Sequence, residues 1–272
     1  MASLSQAHKT CTIFLYQIIT MLYFGYQINA TAQFGEYLTT AARSTRIALG
    51  IMARYPRAGD TKTRLAVALG QNQAADFYSI CARTIFCEMR QAPAPVTKYI
   101  FFTGSSNLNK VGQWTGDGFG LLPQAGKDLG SRLANSFSKL FSAGISKAVL
   151  IASDVPDISV TIIDEALSAL ESHDIVLGPS HDGGYYLIGM KKLTKALFTG
   201  ISWGSEEVLQ QTLVRAAKSN LSLYLLPTLI DIDSIEDLRL WLAMAGTKAL
   251  ELREYVRNIN PDLFCSAVDY QI

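Results

Sequence analysis

The chain has 272 residues, of which 49% are hydrophobic and 17% are charged, so it has ample apolar material for a core and wholesale disorder is excluded. Lys and Arg number 24 against 23 Asp and Glu, which argues against a nucleic-acid binder with a broad basic surface. The four cysteines and three histidines are scattered, a distribution that is not typical of a zinc site or a disulfide framework.

The first 45 residues differ in character from the rest of the chain. No charged residue occurs between Lys9 and Glu36, and residues 11–29 are largely apolar. This run is short for a membrane span, which needs about 20 apolar residues. Four interpretations of this segment stay open. It is a signal peptide with an A-x-A site at 30–32, a membrane anchor, an extra helix, or the result of a start codon read too early. We treat 1–45 as an apolar extension and expect a cytoplasmic protein, with membrane contact through residues 11–29 as the less favoured alternative.

From residue 46 onwards, short apolar runs alternate with segments of helical period. In chain order, this pattern predicts a strand over 46–54, a helix over 62–89 interrupted near Gly70, a strand over 98–103, a mobile glycine-rich loop over 104–126, a helix over 128–143, a strand over 147–152, a helix over 160–170, strands over 174–177 and 185–189, a helix over 205–218, extended runs over 221–226 and 230–232, and a helix over 234–243.

Strands separated by helices predict a three-layer α/β/α fold with a mostly parallel sheet, here over 46–245, followed by a C-terminal helix and tail over 246–272. Ligands of such sheets bind beyond the carboxyl ends of the strands. We therefore expect the functional residues directly after the predicted strands.

The loop after the first predicted strand is basic. Residues 53–64 contain Arg54, Arg57, Lys62 and Arg64 but only one acid, Asp60. The loop leads into a helix N-terminus, whose free N–H groups and positive dipole favour phosphate. No Walker A motif is present. The loop is a candidate phosphate site, and a solvated basic turn is the alternative.

Two acidic segments are candidates for a metal site. Asp154 directly follows the strand over 147–152, and Asp231 and Asp233 alternate on one face of an extended run. Carboxylates suit Mg²⁺ or Mn²⁺, so we expect Asp154 and Asp233 to share a cation. The alternatives are a turn or helix cap at Asp154 and dipole-favoured acids before the helix over 234–243.

A fourth loop, residues 178–186, contains Asp182 followed by two glycines. Asp182 is a candidate to bind a sugar hydroxyl, orient an acceptor or assist the metal, and a hairpin turn is the alternative. Paired glycines permit close backbone approach to a ligand. Of Tyr185 and Tyr186, one is expected to line the pocket. Trp203 is either a wall of the acceptor pocket or a core residue.

These segments together resemble the GT-A (nucleotide-diphospho-sugar transferase) superfamily. More closely, the chain is similar to a bacterial GT-A-like family of formerly unknown function, often labelled arsenosugar-biosynthesis glycosyltransferases. The resemblance extends over roughly 46–245 and rests on the stretches at 53–65, 127–137, 152–157, 178–189, 201–209 and 231–238. The chain lacks the G-G-x-x-x-R-x-G loop of nucleotidyltransferases and has Ser-Asp-Val in place of a D-x-D motif.

The resemblance implies a GT-A-like fold and a metal-dependent glycosyltransferase that moves a sugar from a nucleotide-sugar to a small-molecule acceptor. The alternatives are a nucleotidyltransferase that uses a nucleoside triphosphate and releases pyrophosphate, and a silent nucleotide- or partner-binding protein. Arg132, one helical turn before Asn135, either faces the ligand or forms a surface ion pair with Asp128. The expected residues are Asp154 and Asp182 for catalysis, Arg54, Lys62, Arg64 and Arg132 for the nucleotide, Asp154 and Asp233 for Mg²⁺ or Mn²⁺, and Gly183, Gly184, Tyr185 and Trp203 for the acceptor.

Overall fold

The computed structural model describes residues 46–93, 95–244 and 249–265. The predicted apolar extension, including residues 11–29, lies outside this part of the chain. None of the helices described is both long enough and apolar enough to cross a bilayer.

The described residues form a seven-stranded sheet in the order β3-β2-β1-β4-β6-β5-β7. The strands are β1 (Ile47–Arg54), β2 (Val96–Thr103), β3 (Gly120–Pro123), β4 (Lys147–Ile151), β5 (Ile175–Pro179), β6 (Tyr185–Met190) and β7 (Leu223–Leu225). The pairs β1–β2, β1–β4, β2–β3 and β5–β7 are parallel, and only β6 runs antiparallel to its neighbours β4 and β5. The predicted mostly parallel sheet is confirmed.

Helices cover the sheet on both faces. They are α1 (Thr63–Leu69), α2 (Gln71–Arg90), α3 (Leu108–Thr115), α4 (Leu129–Ser142), α5 (Val160–Ser172), α6 (Val208–Lys218), α7 (Ile235–Ala243), α8 (Leu250–Ile259) and α9 (Asp262–Cys265), with a 3-10 helix at Lys195–Phe198. Helix α6 begins three residues after the predicted start, because the Ser205 hydroxyl donates to the Ser202 carbonyl in a turn at 2.8 Å.

Two buried apolar clusters lie on opposite faces of the sheet. In β4, Val149 and Ile151 pack in the cluster that includes α2, α5 and α7, whereas Leu150 packs in the cluster that includes α4 and α6. Successive side chains of a strand point to opposite faces, so every central strand contributes to both clusters. The predicted three-layer α/β/α architecture is therefore confirmed.

The prediction of a loop throughout 104–126 is wrong. Asn107 caps α3, its side-chain oxygen accepting from the Lys110 backbone N–H at 3.1 Å. Val111 of this helix is fully buried, and Trp114 packs edge-on against Phe86. The helix has only two turns, and its one glycine, Gly112, interrupts the periodicity on which the prediction relied.

Candidate functional site

A cavity of about 360 Å³ lies at the edge of the sheet where β1, β2 and β4 end. Its volume falls in the range of small-ligand pockets, and its position is the one expected for a ligand of a parallel sheet. The predicted site residues in its wall are Arg54, Lys62, Arg64, Arg132, Asp154 and Asp233. These are all the residues predicted for the nucleotide and the metal, whereas the residues predicted for the acceptor lie elsewhere.

Lys62 links the two carboxylates that were predicted to bind metal. Its ammonium donates to Asp154 Oδ2 at 2.8 Å and makes a shorter contact with Asp233 Oδ1. The Lys62 side chain is only 5% exposed, against 28% for Asp154 and 44% for Asp233. Lys62 has left-handed backbone angles (φ 50°, ψ 49°) at the position before α1. The structure therefore brings Asp154 and Asp233 together around a cation, and that cation is a side chain.

The charges of these three groups support one another. Burial lowers the pKa of Lys62, but the carboxylates of Asp154 and Asp233 outweigh burial and hold it above the usual value. Burial likewise raises the pKa of Asp233, but the Lys62 ammonium and the charge of Arg64 hold it below the usual value. At neutral pH, Lys62 is therefore positive and Asp233 negative.

A buried tyrosine on α2 fixes the strand ends beneath the cavity. The Tyr78 hydroxyl lies 2.7 Å from Ser153 Oγ and accepts from the Arg54 backbone N–H at 2.9 Å. Ser153 Oγ in turn donates to the Met52 carbonyl at 3.0 Å, so the Tyr78 proton points to Ser153. Burial raises the pKa of Tyr78 to about 12. This neutral chain of hydrogen bonds holds the end of β1 against the segment that carries Asp154.

The acidic run after β7 is held beside the same segment, because the Ile232 backbone N–H donates to the Asp154 carbonyl at 3.1 Å. This bond places Asp231 near the cavity, although Asp231 was not among the predicted site residues. Burial, with the charges of Asp154, Asp182 and Asp233, raises the pKa of Asp231 to about 7. The alternation of Asp231 and Asp233 was the sequence signal for this placement.

Asp182 organises a turn. Its Oδ1 accepts from Ser180 Oγ at 2.5 Å and from the Gly184 backbone N–H at 2.9 Å. Gly183 has a φ of 85°, and a Cβ there would lie 2.1 Å from the carbonyl oxygen of Glu206. These contacts are the ones expected from the hairpin-turn alternative for Asp182. Gly183 lacks a Cβ that would clash with the Glu206 backbone.

Tyr185 and Trp203 form an aromatic pair away from the cavity. Their ring centroids are 6.3 Å apart with an angle of 78° between the planes. Trp203 packs so closely on α4 that a Cβ at Gly130 would lie 2.5 Å from its indole nitrogen. Burial raises the pKa of the Tyr185 phenol above its usual value. These contacts agree with the core alternative that was open for Trp203, and the acceptor role of Tyr185 and Trp203 stays a prediction.

Two arginines of the cavity wall, Arg54 and Arg132, are each held by one hydrogen bond to a backbone carbonyl. Arg54 donates to the Asp60 carbonyl at 3.0 Å, and Arg132 Nε donates to the Gly126 carbonyl at 3.2 Å. Asn135 is engaged by the Ala125 carbonyl at 2.8 Å and does not line the cavity. The remaining guanidinium N–H groups of Arg54 and Arg132 can therefore reach a ligand.

The side chains around the cavity bear on whether the site can hold Mg²⁺ or Mn²⁺. Among the residues the structure describes, no cluster of three or more His, Cys, Asp or Glu side chains has metal-binding geometry. Mg²⁺ is usually bound by one or two carboxylates together with substrate phosphates. Asp154 and Asp233 already converge on a cation, so they fit an ion that is brought with a nucleotide.

Comparisons with known proteins agree with this architecture. The model of a family described as an uncharacterized protein conserved in bacteria (DUF2064) matches residues 87–205. A crystal structure from Desulfovibrio desulfuricans G20, of a protein provisionally described as a nucleotide-diphospho-sugar transferase, has a TM-score of 0.75 at 28% identity and covers 81% of this chain and 97% of that chain. The resemblance predicted from the motifs is confirmed.

A more distant likeness is to a cytidylyltransferase from Leptospira borgpetersenii serovar Hardjo-bovis, with a TM-score of 0.48 at 14% identity, covering 81% of this chain and 97% of that chain. No protein with a curated description matches the sequence.

Proposed function

We propose that the protein is a transferase that uses a nucleotide-linked donor, and specifically a metal-dependent glycosyltransferase. The observation that carries the proposal is the contact of Lys62 with Asp154 and Asp233 at the rim of the cavity. Cations and a carboxylate pair at the end of parallel strands suit a nucleoside diphosphate with its divalent ion. The similarity to a protein described as a nucleotide-diphospho-sugar transferase supports the same class.

In this proposal, the basic loop binds the donor phosphates. Lys62 lies at the N-terminus of α1, and Arg64 lies in its first turn, so ammonium, guanidinium and free backbone N–H groups converge on one region. Arg54 and Arg132 add charge from the two sides of the wall. These groups stabilise the negative charge that develops on a departing diphosphate.

Asp154 and Asp233 are the proposed metal ligands. A bound Mg²⁺ or Mn²⁺ would neutralise phosphate charge and act as a Lewis acid. The carboxylates hold the ammonium of Lys62 in place before a ligand enters, and the ammonium can turn to a phosphate oxygen afterwards. Asp154 therefore keeps its proposed catalytic role.

We place the acceptor on the side of Asp182 and Gly184. The carboxylate of Asp182 is exposed, yet its charge reaches Asp231 beside the cavity. An exposed carboxylate at this position can accept a hydrogen bond from a sugar or acceptor hydroxyl. Gly183, Tyr185 and Trp203 then support the turn, in place of the direct acceptor contacts expected for them.

Nucleotidyl transfer is the second candidate, because the same cations would equally hold a triphosphate. Purified protein with Mn²⁺ is incubated with a panel of nucleotide-sugars and, separately, nucleoside triphosphates. Release of nucleoside diphosphate supports glycosyl transfer, and release of pyrophosphate supports nucleotidyl transfer. We expect Asp154→Asn to abolish the release, whereas Asp76→Asn, an exposed change on α2, should leave it unchanged. If neither product forms with any donor, the proposed function is wrong.

A further inference from the structure

A second cavity, of about 560 Å³, lies between α2, α3 and the start of α8. It shares no wall residue with the cavity at the strand ends, and its volume falls in the range of small-ligand pockets. Its wall includes Arg83, Cys87 and Arg90 of α2, Trp114 of α3, and Leu250 and Glu251 of α8. The second cavity is therefore a separate place where a ligand can bind.

One part of this wall is apolar. Trp114 is half-buried, and its ring packs edge-on against Phe86 with the centroids 5.1 Å apart. Its indole N–H donates to Ser79 Oγ at 3.1 Å, so the ring is fixed. Leu250 is 67% exposed, although it is a large hydrophobic side chain. A fixed aromatic ring and an exposed leucine in one cavity wall favour a ligand with an apolar body.

Arg83 brings an uncompensated charge to the same wall. It is exposed, and no hydrogen bond or ion pair with the residues that the structure describes engages its guanidinium. Arg83, Cys87 and Arg90 are spaced by four and three residues along α2, so they lie on one face of this helix. A guanidinium presents parallel N–H groups that match the two oxygens of a carboxylate.

Arg90 is a second cation, and its position is fixed. Its Nε donates to the Asp117 carbonyl at 3.0 Å, and one terminal nitrogen makes a shorter bond to the Thr115 carbonyl. The guanidinium lies over the Phe119 ring, 5.4 Å from its centroid. A Cβ at Gly116 would lie 2.5 Å from Arg90, so the glycine leaves room for this arrangement. The other terminal nitrogen has no partner in the described part of the chain and remains available to a ligand.

The charges of the wall favour a ligand with a single negative charge. Arg83 and Arg90 are accompanied by one acid, Glu251, which is exposed and forms no ion pair with either arginine. A carboxylate would balance the one excess positive charge. A phosphate monoester carries nearly two negative charges and would exceed it.

We propose that the second cavity binds a small organic monocarboxylate with an apolar body. The carboxylate pairs with Arg83 and with the available terminal nitrogen of Arg90, and the body packs against Trp114 and Leu250. This site goes beyond the proposed function and does not depend on it, because the two cavities have separate walls.

Calorimetric titration of the wild-type chain with three probes tests the proposal. The probes are 4-phenylbutyrate, 4-phenylbutyramide, which has the same body without the charge, and acetate, which has the charge without the body. We expect 4-phenylbutyrate to bind more tightly than either of the others by about fivefold or more. Equal affinity for the acid and the amide, equal affinity for the acid and acetate, or no binding of 4-phenylbutyrate overturns the proposal.

Cys87 reports whether the probe binds in this cavity, because its thiol is exposed and belongs to the wall. Trypsin cleaves after Arg83 and Arg90, and the resulting peptide 84–90 contains no other cysteine. Alkylation of this peptide by iodoacetamide is followed by mass spectrometry. Saturating 4-phenylbutyrate should slow it by about threefold or more, and the same concentration of acetate should not. An unchanged rate while 4-phenylbutyrate binds would place the probe elsewhere and overturn the inference.

Arg83→Gln removes the unpaired cation and should weaken the binding of 4-phenylbutyrate by about fivefold or more, while the affinity for the amide stays the same. Arg239→Gln, the same change at an exposed position of α7 outside both cavity walls, is the matched control and should bind 4-phenylbutyrate as the wild type does. An Arg83→Gln variant that binds the acid with wild-type affinity would overturn the inference. The comparison of probes on the wild type decides the question even if Arg83→Gln fails to fold.

Discussion

Replacing Asp231 by Asn should stabilise the protein at neutral pH and have little effect at pH 4. In the folded protein, burial and the charges of Asp154, Asp182 and Asp233 raise the pKa of Asp231 to about 7, from its ordinary value of 3.8. The folded state therefore binds this proton more tightly than the unfolded state does. The stability that the proton contributes is complete below pH 3.8 and is lost as the pH rises through 7.

The magnitude follows from that difference. Each pKa unit corresponds to about 1.4 kcal/mol, so the three-unit difference is worth up to about 4 kcal/mol, and water in the open cavity reduces it to about 2–3 kcal/mol. Because Asn cannot ionise, the free energy of unfolding of Asp231→Asn should exceed that of the wild type by this amount at pH 8. The two values should converge at pH 4.

Urea unfolding between pH 4 and pH 8, in the presence of a chelator, measures the effect. The exposed Asp76→Asn variant is the control and should follow the wild-type curve at every pH. If the stability of Asp231→Asn runs parallel to that of the wild type across this range, Asp231 titrates normally and the described acidic environment is wrong.

Three further changes test the site. Lys62→Met leaves Asp154 and Asp233 facing each other without a cation, so it should lower the free energy of unfolding by about 1–3 kcal/mol. Millimolar Mn²⁺ should raise the stability of this variant more than that of the wild type. A variant that is as stable as the wild type without metal would contradict this. Tyr78→Phe leaves Ser153 without its buried partner and should cost about 1–3 kcal/mol in chemical denaturation, whereas an unchanged midpoint would show that the hydrogen-bond chain contributes nothing. Gly183→Ala should destabilise the protein by more than about 2 kcal/mol and Gly184→Ala by less, because a Cβ at 183 meets backbone at 2.1 Å and one at 184 meets a side-chain oxygen at 3.1 Å; equal thermal midpoints would refute this reading.

Much of the fold was predictable from the sequence, and so was the part of the site that lies at the ends of the strands. Parallel strands end at one edge of the sheet, so residues that follow different strands meet there even when they are far apart in the chain. This rule placed Arg54 at the end of β1 and Asp154 after β4, and both lie in the cavity wall. The alternation of Asp231 and Asp233 along the predicted extended run likewise indicated that both lie on one side, although these residues form no strand in the structure.

The remaining parts of the site depend on contacts that no local pattern encodes. Tyr78 is one of many large residues in α2, and only the tertiary structure brings its hydroxyl to Ser153. Lys62 was expected to face phosphate, but its ammonium is held by two carboxylates from distant segments. The glycine at 183 gave an ambiguous signal, because a glycine needed for packing against Glu206 looks the same in sequence as one that admits a ligand.

The central claim is that the phosphates of a nucleotide bind with a divalent ion where Lys62, Asp154 and Asp233 meet. Calorimetric titration with nucleoside diphosphates, with Mn²⁺ and then with a chelator, tests it most directly. We expect binding in Mn²⁺ that weakens at least tenfold in the chelator and in both Asp154→Asn and Asp233→Asn, but not in Asp76→Asn. Affinity that is the same with and without Mn²⁺, or unchanged in the two variants at the rim, would contradict the account.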